Sequence, residues 1–114
     1  MTTRSTVSRA VLDKIVRRVV QVAAPERIVL FGSAARGDMG PNSAIDLLVI
    51  RAGDQDRSRV LGDIYVALHG VGQAVDVILV TPEEVERYRN SPALVISPAL
   101  REGREVYPAA AVPA

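Results

Sequence analysis

Between Ser8 and Val22 the apolar residues Val11, Leu12, Ile15, Val16, Val19 and Val20 recur every three or four positions. Arg9, Asp13, Lys14, Arg17 and Arg18 fall largely off that stripe, as in an amphipathic helix packed along one face. Pro25 limits the helix, and the short apolar run Arg27 to Phe31, stopped by Gly32, predicts a buried strand. Gly32 to Gly37 reads as a tight exit plus one helical turn, and Asp38 to Ser43 as a loop. Ala44 to Ile50 predicts a second strand, Arg57 to His69 a helix with Val60, Leu61, Ile64, Tyr65 and Leu68 inward, and Ala74 to Val80 a third strand. Thr81-Pro82-Glu83-Glu84 carries the cap, N1 proline and N3 acid of a helix start. Asn90-Ser91-Pro92 ends that helix; another over 93–102, stopped by Gly103, and a strand over 105–107 complete the pattern.

This order of elements predicts an α+β fold, a small mixed β-sheet flanked by helices. It forms one domain over residues 1–107, followed by a flexible tail over 108–114. With 114 residues, 48% hydrophobic and 24% charged, a packed core is expected. A net charge of +1 gives no general attraction to RNA or DNA and argues against nucleic acid as the direct partner. The chain has no Cys, which excludes disulfides, thiolate metal sites and a cysteine nucleophile. No stretch approaches the roughly 20 apolar residues of a membrane span, so the expected location is the cytoplasm, with no membrane partner.

The second and third strands, otherwise Val, Ile and Leu, each contain one acid: Asp46 and Asp76. A carboxylate buried alone costs several kcal/mol, so such an acid sits at an exposed strand end, has a cationic partner, or binds a metal. Either acid alone is satisfied by the first option, but the Gly32-Ser33 turn shifts the balance. A Gly-Ser turn between strand and helix offers backbone N–H groups and a hydroxyl to a phosphate, and glycine permits close approach. Carboxylates on a nearby strand suit Mg²⁺, which binds carboxylate and phosphate oxygens.

The residues Leu30-Phe31-Gly32-Ser33, Ala35-Arg36-Gly37, Ser43-Ala44-Ile45-Asp46-Leu47 and Val75-Asp76-Val77 resemble the minimal nucleotidyltransferases of the polymerase-β-like superfamily. The family pattern is Gly-Ser, ten residues, Asp-x-Asp, then a third Asp on a following strand, and the resemblance covers most of the chain. It implies the polymerase-β palm-like fold and Mg²⁺-dependent transfer of AMP from ATP to a hydroxyl. By the same resemblance Gly32 and Ser33 form the triphosphate-binding turn, Arg36 is a phosphate-contact candidate, Asp46 is a metal ligand, and Asp76 is a ligand that helps activate the acceptor. The resemblance further implies the antitoxin of a toxin–antitoxin pair, its partner a HEPN-domain toxin whose tyrosine receives the AMP.

One position departs from the pattern. Ala44 stands where the first Asp is expected, on the same strand face as Asp46, and a methyl group coordinates nothing. Catalytic impairment is therefore expected, through a lineage that lost catalysis or through a single replacement, recent or engineered, which the intact remainder of the motif favours. The alternatives are a non-catalytic binding antitoxin and, further off, a small-molecule or tRNA nucleotidyltransferase. For Arg36 the competing reading is a surface pair with Asp38; for Arg17, Arg18, Arg57 and Arg59 it is a solvated helix face. His69 is expected to stabilise a helix C-terminus.

Overall fold

The computed structural model describes residues 8–53, 55–91 and 95–108. Helix α1 (Arg9–Ala23) starts where the Ser8 side chain accepts from the Val11 N–H, and its stripe buries Leu12, Ile15, Val19 and Ala23. Strand β1 (Arg27–Phe31) follows, then the one-turn helix α2 (Gly32–Arg36), strand β2 (Ile45–Ile50), helix α3 (Arg57–Ala67) and strand β3 (Val75–Val80). Helices α4 (Pro82–Tyr88) and α5 (Ile96–Glu102) lead to strand β4 (Arg104–Tyr107). The expected elements are all present, with ends displaced by one to three residues: β2 and β3 each begin one residue later, and α5 begins at Ile96. Residues 1–7 and 92–94, and the part of the expected tail beyond Pro108, lie outside the described residues.

The sheet is mixed, as expected, in the order β3-β2-β1-β4. β1 pairs antiparallel with β2 and β4, whereas β2 and β3 run parallel through the α3 crossover. Because side chains alternate along a strand, the two sheet faces are read directly from residue parity. Ile28, Leu30, Ile45, Leu47, Val49, Val77 and Leu79 pack with α1 and α3. Val29, Leu48, Ile50 and Val80 form the opposite cluster with Val85 of α4 and with Ile96 and Ala99 of α5.

Several arginines do more than solvate helix faces. Arg18 donates from Nη1 to the carbonyls of Ala67 (3.0 Å) and His69 (3.2 Å), so a cation meets the negative end of α3. Arg57 pairs with Glu84 at 3.1 Å, tying α3 to α4, whereas Arg59 joins only its helical neighbours Asp56 and Asp63. Tyr65, expected inward on α3, is instead exposed at the sheet edge, and its hydroxyl accepts from the Val77 N–H at 2.8 Å. Among the described residues no helix is long and apolar enough to cross a membrane.

Candidate nucleotide and metal site

Asp46 and Asp76 are direct register partners across the parallel β2–β3 pair, so both side chains leave the same face, on backbones about 4.8 Å apart. That face is the one covered by α4 and α5 farther along, where Leu48, Ile50 and Val80 are buried. At the strand starts the cover stops: Asp46 is half-buried and Asp76 exposed. Burial first, and then the like charge of Asp76, hold the Asp46 carboxyl above its ordinary value, against an opposing pull from Arg36.

Phe31, the last residue of β1, lies opposite Asp46 in the antiparallel register, so the turn leaving β1 arrives beside the acid. Gly32 opens that turn with φ +72°, and a Cβ there would collide with Oδ2 of Asp46 and stand 3.3 Å from its Cγ. Both the left-handed backbone and the close approach require glycine. Ser33, half-buried in the first turn of α2, accepts at its carbonyl from the N–H groups of Gly37 (2.9 Å) and Asp38 (3.0 Å). This hooks the chain sharply back, and the leading N–H groups of a helix have no intrahelical acceptor. The expected pairing of turn and acid is thus present.

Arg36 ends α2 with its Nε 3.3 Å from Asp38 Oδ2 and its Nη1 3.7 Å from Glu102 Oε1. The surface-pair reading therefore describes Arg36 here, with Glu102 as a second partner from α5 that the sequence did not suggest. Exposed pairs of this kind are worth at most about 1 kcal/mol and yield readily to a competing anion. Asp38 accepts from Arg36 at Oδ2, while its Oδ1 is buried without a hydrogen-bond partner among the described residues.

Ala44, expected to start the strand on the face of Asp46, lies one residue before β2 instead. Its flanking peptides are held firmly. The Ile45 N–H donates to the Ala74 carbonyl at 2.9 Å, and the Ser43 carbonyl accepts from Nε2 of Gln73 at 3.1 Å. Ser43 also closes the preceding turn, where its Oγ accepts from the Gly40 N–H at 2.9 Å and its own N–H donates to the Gly40 carbonyl at 3.2 Å. Gln73 carried no signal in the sequence, because Ser43, one of its two acceptors, lies across the crossover.

Among the described residues no three His, Asp or Glu side chains gather as a metal-binding cluster. The two-carboxylate pair nonetheless fits a divalent cation: Mg²⁺ is commonly held by one or two carboxylates, with phosphate and water completing the octahedron. Such an ion would relieve the repulsion from Asp76 that adds to burial in raising Asp46.

A family model described as "Nucleotidyltransferase domain" matches residues 12–104, from within α1 to the start of β4. The crystal structure of a candidate nucleotidyltransferase from Sulfolobus solfataricus superposes with TM-score 0.40 at 24% identity, covering 71% of this chain and 82% of that one. No curated protein matches the chain.

Proposed function

The chain belongs to the nucleotidyltransferase-domain family, and on that premise we propose that its site binds a magnesium–nucleoside triphosphate and has AMP transfer to a protein tyrosine as its native chemistry, impaired in this chain by Ala44. The observation that carries this reading is the register pairing of Asp46 with Asp76 beside a glycine that tolerates no side chain. In this proposal the N–H groups of the Gly32-Ser33 turn and the Ser33 hydroxyl take the triphosphate. Arg36 exchanges its exposed acidic partners for phosphate, and Asp46 and Asp76 are the Mg²⁺ ligands. Bound there, the ion supplies charge neutralisation for the leaving pyrophosphate. In the transfer an acceptor hydroxyl would give up its proton toward Asp76 as its oxygen bonds to the α-phosphorus, and the bond from the α-phosphorus to the bridging oxygen would break, releasing pyrophosphate. Asp76, exposed on the edge strand, faces the side from which an acceptor can approach. Positioning and charge compensation dominate phosphoryl chemistry, so loss of one carboxylate is costly.

The proposed acceptor and partner is a HEPN-type toxin, a role drawn from the motif resemblance; the near-neutral charge supports a protein over a nucleic acid as the presenting molecule. Ala44 also favours a second reading, a binding antitoxin that neutralises its partner without chemistry.

Ala44→Asp separates the two. With the partner, Mg²⁺ and labelled ATP, the variant is expected to transfer AMP at least about a hundredfold faster than the parent, beyond the 10–100-fold typical of an outer-shell change. Calorimetry on the parent is expected to show Mg²⁺-dependent nucleotide binding that Ser33→Ala weakens. A variant that stays inactive with all four nucleotides in a stable partner complex supports the binding antitoxin. Transfer to tRNA or a small molecule overturns the assigned acceptor.

A further inference from the structure

We propose that Gln73 is a positioning residue of this site, holding the backbone at position 44 at a fixed distance from the strand that carries Asp76; the inference rests on the metal-site reading given above. The Gln73 amide has two N–H donors, and both are used: Nε2 donates to Ser43 O at 3.1 Å and to Ala74 O at 3.0 Å. The Ala74 carbonyl also accepts from the Ile45 N–H at 2.9 Å, so both of its lone-pair positions are engaged. The peptide before residue 44 is therefore bound through Gln73, and the peptide after it through Ala74. Both anchors belong to the same two-residue segment, which immediately precedes β3, the strand whose second residue is Asp76.

Residue 44 itself lies outside the β ladder, whose described pairing starts at Ile45↔Val75. Strand pairing fixes Asp46 against Asp76 and, through the Ile45 N–H bond to the Ala74 carbonyl, the peptide after residue 44; the peptide before it is tied to β3 by Gln73. The Gln73 clip extends the register by one step, to the position where the first acid of an Asp-x-Asp pair would stand. It does so with a neutral donor, adding no charge to compete with a cation. A carboxylate introduced at position 44 would leave a backbone already held, which is the role of an outer-shell partner that orients a ligand without touching the metal.

A double-mutant cycle read by Mn²⁺ binding, followed by electron paramagnetic resonance without nucleotide, tests the inference. Ala44→Asp is expected to tighten Mn²⁺ binding about tenfold over the parent. Adding Gln73→Met, similar in length but without donors, is expected to remove at least about fivefold of that gain, while in the parent the same change costs less than about threefold. Coupling between positions 73 and 44 is the signature, because a purely structural role weakens both backgrounds alike. Equal losses in both backgrounds, or no loss in the Ala44→Asp chain, overturn the inference and leave the metal-site reading standing. If Ala44→Asp gains nothing, the metal-site reading fails and the inference falls with it. Should Gln73→Met lose its cooperative thermal transition, Gln73→Leu serves the same cycle.

Discussion

The parallel pair β2–β3 presents one face with two ends of opposite character. At the C-terminal end Leu48, Ile50 and Val80 are sealed under α4 and α5, and Thr81 and Glu84 close a reciprocal capping box at the start of α4. At the N-terminal end the same face carries the half-buried Asp46, with Gly32 at the start of α2 against its carboxylate, and the exposed Asp76. One alternation pattern thus builds core at one end and a site at the other, and the two ends titrate in opposite senses. The Asp46 carboxyl is pushed up by burial and by Asp76. Glu84 also meets a burial effect that would raise it, but the Thr81 N–H and the Arg57 guanidinium outweigh this and hold it below its ordinary value. The covered end stabilises its charge, and the open end tolerates a charge that the fold alone does not favour.

The largest test of this contrast is Leu48→Ala. Leu48 is 0% exposed, and truncating a buried Leu costs about 2–5 kcal/mol, read as a lower urea midpoint. A loss below about 1 kcal/mol would mean that the covered end is not the core it resembles. Gly32→Ala comes next, with an expected cost of about 1–2 kcal/mol for the left-handed backbone. Its methyl group also drives the Asp46 carboxylate aside, so nucleotide binding by calorimetry should fall more than stability does. Thr81→Ala, which removes one half of the capping box, should cost about 1 kcal/mol and leave nucleotide binding unchanged.

The smallest effect is a difference in sign. A folded pKa above the unfolded 3.8 means that the Asp46 contribution falls as pH rises through that window. Asp46→Asn should therefore be more stable than the parent at pH 7, with the difference vanishing as pH drops below 3.8 and the parent carboxyl gains its proton. Glu84 has a folded pKa below its unfolded 4.5, so its contribution is present above 4.5 and lost as pH falls through the folded value. Glu84→Gln should thus be less stable at pH 7 and converge with the parent in acid. Urea midpoints from pH 7 down to the acid limit of cooperative unfolding check both slopes, and matching slopes would erase the distinction between the two ends.

Much of this was legible because the deciding forces are local. The three- and four-residue stripe of α1, the apolar runs of β1, β2 and β3, and the Thr81-Pro82-Glu83-Glu84 start of α4 each announce themselves within a few residues, as does the lone acid in each of two apolar strands. Ala44 was legible as a gap for the same reason. What stayed hidden depends on contacts across long stretches of chain. Nothing near Arg18 says that it will meet the carbonyls of Ala67 and His69, or near Gln73 that it will reach Ser43. Tyr65 fitted the helical stripe, yet its hydroxyl found an edge amide, a preference that periodicity alone does not encode.

That contact of Tyr65 bears on how the molecule keeps company in a crowded solution. The carbonyls of Ala74, just before β3, and of Val80, at its end, turn toward β2, as the bonds from Ile45 and Arg51 show, so the alternate residues 75, 77 and 79 offer their amides and carbonyls outward. An open margin of this kind is a template on which a stray strand can add and aggregation can begin. The phenol of Tyr65 occupies the middle amide of that margin. An incoming chain would have to evict it before zippering on, so the flank of the strand that bears Asp76 is guarded against self-association.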